Sequence, residues 1–288
     1  MRLDGIHHVT CITGDAPRNV DFYTGTLGLR LVKKTVNQDD PSVYHLFYAD
    51  EHGTPGSDIT FFEYPGTAPG RAGSGMIHTV VWRVGSEEAL EFWRNRVGSV
   101  PFEDPEGLRH DLVVADVPDE PLIADHPEIP RELALQGFEG VRAYGQEPTA
   151  FLAALGFEDG VTRGGSRQGW IRYEPAPLER GIPGAGTVHH VAWASTMADH
   201  EAWRGRVADA GGRPTEVIDR FWFRSIYFRE PSGVLFEIAT LGPGFATDED
   251  PAHLGEKLIL PPAFEHLRDK VEPLLTPLPD PRDARSKS

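Results

Sequence analysis

Two histidine doublets and one glutamate carry the chemistry this sequence could perform. His7-His8 and His189-His190 each sit in a strand-like run, Ile6-His7-His8-Val9-Thr10-Cys11-Ile12 and Val188-His189-His190-Val191-Ala192-Trp193. Glu237 lies in a third, Gly233-Val234-Leu235-Phe236-Glu237-Ile238-Ala239. A carboxylate in so apolar a strand is costly to bury unless it is paired or binds a metal. Successive strand residues point to opposite faces, so one histidine of each doublet is expected at any shared pocket. Thr10 shares its face with His8. Two imidazoles and a carboxylate from separate strands make the 2-His-1-carboxylate set of non-haem Fe(II) oxygenases, which leaves positions open for substrate and dioxygen. Taken singly, His45 and His78 read as hydrogen-bonded core residues. His52, His126, His200, His253 and His266 stand in polar or helical contexts and read as surface residues. Glu63, at a strand end after Phe61-Phe62, reads as solvent-exposed.

The elements that must position these residues repeat along the chain. Glu91-Phe92-Trp93-Arg94-Asn95-Arg96-Val97 matches Glu201-Ala202-Trp203-Arg204-Gly205-Arg206-Val207, and each follows a strand-like run. The N-terminal unit begins with a strand over 6–12 and a helix over Asp15–Leu27, ended by Gly28. Strands follow over Arg30–Val36, Ser42–Ala49 and Asp58–Tyr64. A fainter copy has a strand at Val141–Tyr144, a helix over Glu147–Leu155, and strands at Val161–Gly164 and Trp170–Glu174. The unit is therefore strand, helix and up to three strands. Four units fall at 4–66, 73–118, 135–178 and 186–241, the second shortened by about a strand. One unit cannot cover both sides of its own sheet, so the units should pair. The expected organisation is an N-terminal domain over 1–118, a linker over 119–134, a C-terminal domain over 135–242 and a tail over 243–288 with a helical stretch over Ala263–Leu275. The second unit has Thr79 for His190 and Asp111 for Glu237, and the third falls near Gly140 or Val141. Only the first and fourth units can thus supply a complete site.

The whole-chain balance narrows the function classes. In 288 residues, 28 Lys and Arg face 44 Asp and Glu, a formal charge of −16. Such a chain repels a phosphate backbone, which disfavours nucleic acid as a partner. No apolar run approaches a membrane span. Cys11 is the single cysteine, so zinc–thiolate clusters and internal disulfides are excluded, which suits the cytoplasm.

Together these features resemble the vicinal oxygen chelate superfamily, the glyoxalase, bleomycin-resistance and extradiol dioxygenase fold. The likeness is greatest to its hydroquinone ring-cleaving dioxygenases. It rests on His7-His8-Val9-Thr10, Tyr44-His45-Leu46-Phe47-Tyr48-Ala49-Asp50-Glu51 with Gly53-Thr54-Pro55-Gly56, His189-His190, Pro231 to Glu237, and Gly244-Phe245 with Asp248-Glu249-Asp250. The resemblance implies an α+β fold of four βαβββ-type modules paired into half-open barrels. It implies His8, His190 and Glu237 as ligands of Fe(II), with Mn(II) as the alternative. It further implies catalytic roles around the metal for His7, Thr10, His189, Arg220 and Tyr227: Arg220 would offset charge on a bound phenolate, Tyr227 would hydrogen-bond substrate, and the two histidines would orient ligands or move protons. The expected function is a ring-cleaving dioxygenase acting on a hydroquinone- or catechol-like aromatic with O2, with room for a homo-oligomer. Two rivals share the fold: a glyoxalase-type isomerase or lyase, whose chemistry commonly takes a fourth, carboxylate ligand, and a non-catalytic protein that sequesters a small aromatic.

Overall fold

The computed structural model describes residues 1–162, 164 and 166–278. Arg163, Gly165 and positions 279–288 lie outside the described residues, so the strand expected over Val161–Gly164 and the tail expected over 243–288 are followed only in part.

Four modules are present. The first comprises β1 (Ile6–Thr13), α1 (Ala16–Val20) running on as a π-helical turn over Asp21–Thr26, β2 (Arg30–Asn37), β3 (Asp40–Ala49) and β4 (Asp58–Glu63). The second comprises β5 (Met76–Val84), α2 (Glu87–Val97), β6 (Phe102–Glu103) and β7 (Arg109–Val114), one strand fewer, as the short spacing predicts. The third contains β8 (Phe138–Tyr144), α3 (Thr149–Ala154), β9 (Phe157–Glu158), β10 (Val161–Thr162) and β11 (Trp170–Glu174). The fourth contains β12 (Thr187–Ser195), α4 (His200–Asp209), β13 (Ile218–Asp219), β14 (Arg224–Arg229) and β15 (Leu235–Thr240). The helical stretch expected over Ala263–Leu275 is present as consecutive turns, 3-10 over Pro262–Leu267, α5 (Arg268–Val271) and 3-10 over Glu272–Leu274. No helix is long and apolar enough to cross a membrane among the described residues.

Local chemistry explains the helix limits. Asp15 caps α1 by accepting the Arg18 N–H, and Ser86 caps α2 by accepting the Ala89 N–H. Gly98 ends α2 at φ +86°, a left-handed conformation that an L side chain resists. The repeated helix motif places Trp93 and Trp203 fully inside the core, as their spacing predicts.

The strands form two sheets. One has the order β13-β14-β15-β12-β1-β4-β3-β2 and the other β6-β7-β5-β8-β11-β10-β9. Module four therefore joins module one through antiparallel β1 and β12, and module two joins module three through antiparallel β5 and β8. Each sheet draws on both sides of the 119–134 segment. This pairing brings the two histidine doublets onto neighbouring strands.

Three side chains read as exposed are buried instead. The Glu63 carboxylate accepts the Ala16 N–H at 3.2 Å and the Thr276 hydroxyl at 2.8 Å, where the tail packs back on α1. His200 turns under the end of β12 against Ser195 Oγ, 3.2 Å away. His126 is enclosed where the inter-module segment passes Gly28, and accepts the Glu128 N–H. For Glu63 and His126 a chain segment remote in sequence supplies the cover.

Candidate metal centre

The centre lies on the concave face of the eight-stranded sheet. His8 projects from β1, His190 from β12 and Glu237 from β15, all buried. Glu237 Oε2 lies 3.1 Å from His8 Nε2 and 2.9 Å from His190 Nε2, and the two Nε2 atoms are 3.4 Å apart. One donor atom from each residue falls within 4.8 Å of the others. Neither Glu237 oxygen makes an aligned hydrogen bond despite these short distances. The lone pairs converge on a common point instead, which is what a cation would satisfy. Burial alone would raise the Glu237 carboxyl, but the His8 and His190 imidazoles outweigh it and hold the group well below the ordinary carboxylate range. Burial lowers His190, which favours the neutral, ligating form of its ring.

Strand alternation would turn His7 and His189 away, yet each keeps a ring nitrogen on its neighbour; His7 is buried at the centre, while His189 is the one exposed residue of β12. The register of β1 against β12 runs Ile6↔Trp193 then His8↔Ala192, and Thr10↔His190 then Cys11↔Val188. His7 and His189 are therefore the extra residues of two β-bulges, which bend a strand and re-aim a side chain. His7 Nε2 is 3.0 Å from the Thr240 carbonyl, which can only accept, so that nitrogen carries the proton. Burial, with His8 beside it, pushes His7 down to about 3, so the ring is neutral and its Nδ1 accepts. His8 must then donate from Nδ1, at 2.9 Å, which leaves the His8 Nε2 lone pair facing Glu237. The second doublet repeats the contact at 2.7 Å between the two Nδ1 atoms, and burial likewise lowers His189 to about 3. Each doublet is thus one ring facing the shared point and one ring that fixes its tautomer.

A cleft of ≈ 380 Å³ opens over this point, lined by His8, His190, His45, Phe47, Phe62, Phe223, Trp222, Tyr227 and Arg220, with Asn37, Gln38 and Asp39 at the rim. Its walls are largely aromatic, which suits a small aromatic ring. Tyr227 stands edge-on to His190, with ring centroids 5.6 Å apart, and burial raises its hydroxyl well above the ordinary phenol range. Arg220 does not stand free for a phenolate: its two terminal nitrogens meet the Asp39 carboxylate at 3.1 and 2.8 Å, clasping the β2–β3 turn to the loop before β14. Thr10 is fully buried and accepts the Thr60 hydroxyl at 2.9 Å. His45, read from the sequence as a core residue, lines the cleft; its face could be found only by knowing that β3 and β1 belong to one sheet.

The module symmetry shows why a fourth carboxylate is missing. Ala192 pairs with Glu237 in module four, and its counterpart Thr10 pairs with Thr60 in module one. An alcohol therefore stands where a symmetric four-ligand site would have a second carboxylate. In the other sheet Val81 pairs with Asp111, so Thr79, Gly140 and Asp111 take the three ligand places. There the Arg142 guanidinium contacts Asp111 at 2.8 Å, and a Cβ on Gly140 would lie 2.1 Å from the Trp170 ring.

The model of the Glyoxalase/Bleomycin resistance protein/Dioxygenase superfamily matches residues 5–99 and 75–238. The chain belongs to this superfamily. Within it, the chain is 38% identical to MhqO of Bacillus subtilis (strain 168), provisionally named a ring-cleaving dioxygenase, over 95% of this chain and 96% of the relative. It is 32% identical to the chlorohydroquinone/hydroquinone 1,2-dioxygenase of Sphingobium indicum, over 94% and 95%. A Bacillus subtilis crystal structure provisionally described as a dioxygenase superposes with a TM-score of 0.87 at 38% identity, covering 96% of this chain and 98% of that one. A glyoxalase I variant from Zea mays shares the fold alone, at a TM-score of 0.57 and 15% identity, over 83% of this chain and 92% of that one. The chain stands with the ring-cleaving dioxygenases of the superfamily over nearly its full length.

Proposed function

We propose that the protein is an Fe(II)-dependent dioxygenase that opens the ring of a hydroquinone- or catechol-like aromatic. The observation that carries this reading is the buried convergence of His8 Nε2, His190 Nε2 and a Glu237 oxygen on one point. Three protein ligands on one side leave the cleft side for other ligands. His8, His190 and Glu237 would hold the ion, and Fe(II) bound there would supply a path for electrons between the aromatic and dioxygen. Mn(II) suits the same donors.

The chain's own groups have separable tasks. His7 and His189 hold the ligand tautomers. Tyr227, kept protonated by burial, can donate a hydrogen bond to a substrate oxygen beside His190. Arg220, compensated by Asp39 and set over the Tyr227 ring at 5.5 Å, positions that tyrosine and closes the rim. Phe47, Phe62 and Phe223 supply apolar walls that exclude water from the ring. Thr60 in place of a carboxylate favours this chemistry over a four-ligand isomerase. A single buried cysteine fits a cytoplasmic enzyme.

The test is oxygen uptake after anaerobic reconstitution. Protein loaded with Fe(II) should consume O2 with hydroquinone or catechol, while Zn(II)-loaded protein should not. No uptake with either aromatic would overturn the reading.

A further inference from the structure

We infer that His45 is the substrate-selecting residue of the cleft, receiving a hydroxyl at the end of the ring remote from His8, His190 and Glu237. The inference rests on the reading of the cleft as an aromatic-diol site and adds the group that receives the second hydroxyl.

The position follows from strand alternation. Phe47 pairs with Thr60 and His45 with Phe62 across β3 and β4, while Thr60 pairs with Thr10 on β1. His45, Phe47, Thr60, Phe62, Thr10 and His8 therefore share the concave face. The His45 ring is held between Phe47, at 3.9 Å between centroids, and Phe62, at 4.4 Å.

Hydrogen bonding fixes its chemistry. Thr60 gives its one hydroxyl proton to Thr10, so it can only accept from His45 Nε2, 2.9 Å away. That nitrogen carries the proton, and Nδ1 is left with a lone pair and no partner among the described residues. Burial lowers His45 well below the ordinary imidazole range, with His8, His190 and Arg220 adding to the effect and Glu237 opposing it, so the ring is neutral. The other polar groups of the cleft wall are engaged or lie at the metal end. Asp39 and Arg220 bind each other, Gln38 donates to the Arg220 carbonyl, Asn37 donates to the Tyr64 hydroxyl, and Tyr227 stands beside His190. His45 is thus an acceptor, fixed in tautomer and orientation, whose Nδ1 receives no protein hydroxyl among the described residues.

The experiment compares hydroquinone with phenol, which lacks the second hydroxyl. Dissociation constants are measured without oxygen on Fe(II)-loaded wild type, His45→Phe and His45→Asn, alongside metal content and oxygen uptake. Wild type should bind hydroquinone about tenfold more tightly than phenol, the effect of one buried hydrogen bond. His45→Phe should bring the ratio to about one at unchanged metal content. His45→Asn, whose side-chain oxygen can stand near the Nδ1 place, should recover part of it. A ratio that is the same in wild type and His45→Phe overturns the inference while leaving the dioxygenase reading intact. Absence of oxygen uptake by wild type with every diol overturns that reading, and this one with it.

Discussion

At the residue scale, the centre separates groups that face the shared point from groups that aim them, and the two should fail differently. Replacing a ring that faces it, as in His190→Ala, should remove bound Fe(II) and oxygen uptake together. Replacing its orienter, as in His7→Leu, frees the His8 tautomer and should weaken metal affinity by about 10–100-fold while leaving a saturable site. Equilibrium dialysis against Fe(II) under argon distinguishes the two, and equal losses would argue that His7 is itself a ligand. A second buried acid behaves in the opposite sense to Glu237. Asp58 is buried, neither carboxyl oxygen has a hydrogen-bond partner, and burial with Asp50 nearby pushes it well above the ordinary range. The folded chain then keeps a proton that the unfolded chain releases above about pH 4. Stability from this group is lost as pH rises from there towards the raised folded value. Asp58→Asn removes that loss. At pH 7 it should be the more stable protein by about 1 kcal/mol or more, a rise in Tm of roughly 2–4 °C for each kcal/mol. The gap should close near pH 4, and melts at both values that show the same difference would contradict the buried proton.

At the element scale, the tail acts as a brace for the cleft wall. Lys33 of β2 is wholly buried, with its ammonium paired to Asp248 at 2.9 Å and to Glu249. The same Asp248 oxygen accepts the Trp222 indole N–H at 3.0 Å, and Lys33 lies 4.9 Å from that ring. Removing the cation leaves two partly buried carboxylates without their partner. Lys33→Met should therefore cost about 3 kcal/mol, the scale of a broken buried pair. It should also release Trp222 from its fixed place, read as a change in tryptophan emission, and raise KM for the aromatic more than it lowers kcat. Unchanged melting and emission would remove the brace. Arg83 shows the same economy elsewhere: fully enclosed, it meets Asp119 and Glu139 at 2.6 Å each and ties the inter-module segment to β8. Neither lysine nor arginine stands out in the sequence, because the acids that neutralise them come from distant segments.

At the scale of the whole molecule, one centre forms from the two ends of the chain. β1 and β12 pair directly, so His8 and His190 meet only when module one and module four share a sheet. Residues 1–118 by themselves should neither bind Fe(II) nor give a cooperative melt, because β1 and β5 each lose a neighbour. Co-expression with residues 119–288 should restore one ion per pair. A free 1–118 fragment that binds Fe(II) tightly would contradict the shared centre. The second sheet should stay metal-free in the intact protein, since the Arg142 guanidinium and the Trp170 ring fill the equivalent place.

The sequence by itself determined the four modules, the short second one, the buried helix tryptophans and the three donors, because each rests on local periodicity or on the oddity of a polar residue in an apolar strand. It also located the complete centre, since only the first and fourth modules carry the doublets. Tertiary structure alone decided that His7 turns inward and that His189 stays beside His190, because a bulge exists only relative to the strand opposite. It decided that Arg220 is spent on Asp39, that Glu63 is buried, and that His45 belongs to the cleft. Each of these depends on which remote segment lies alongside, and such pairing leaves no trace in the spacing of neighbours.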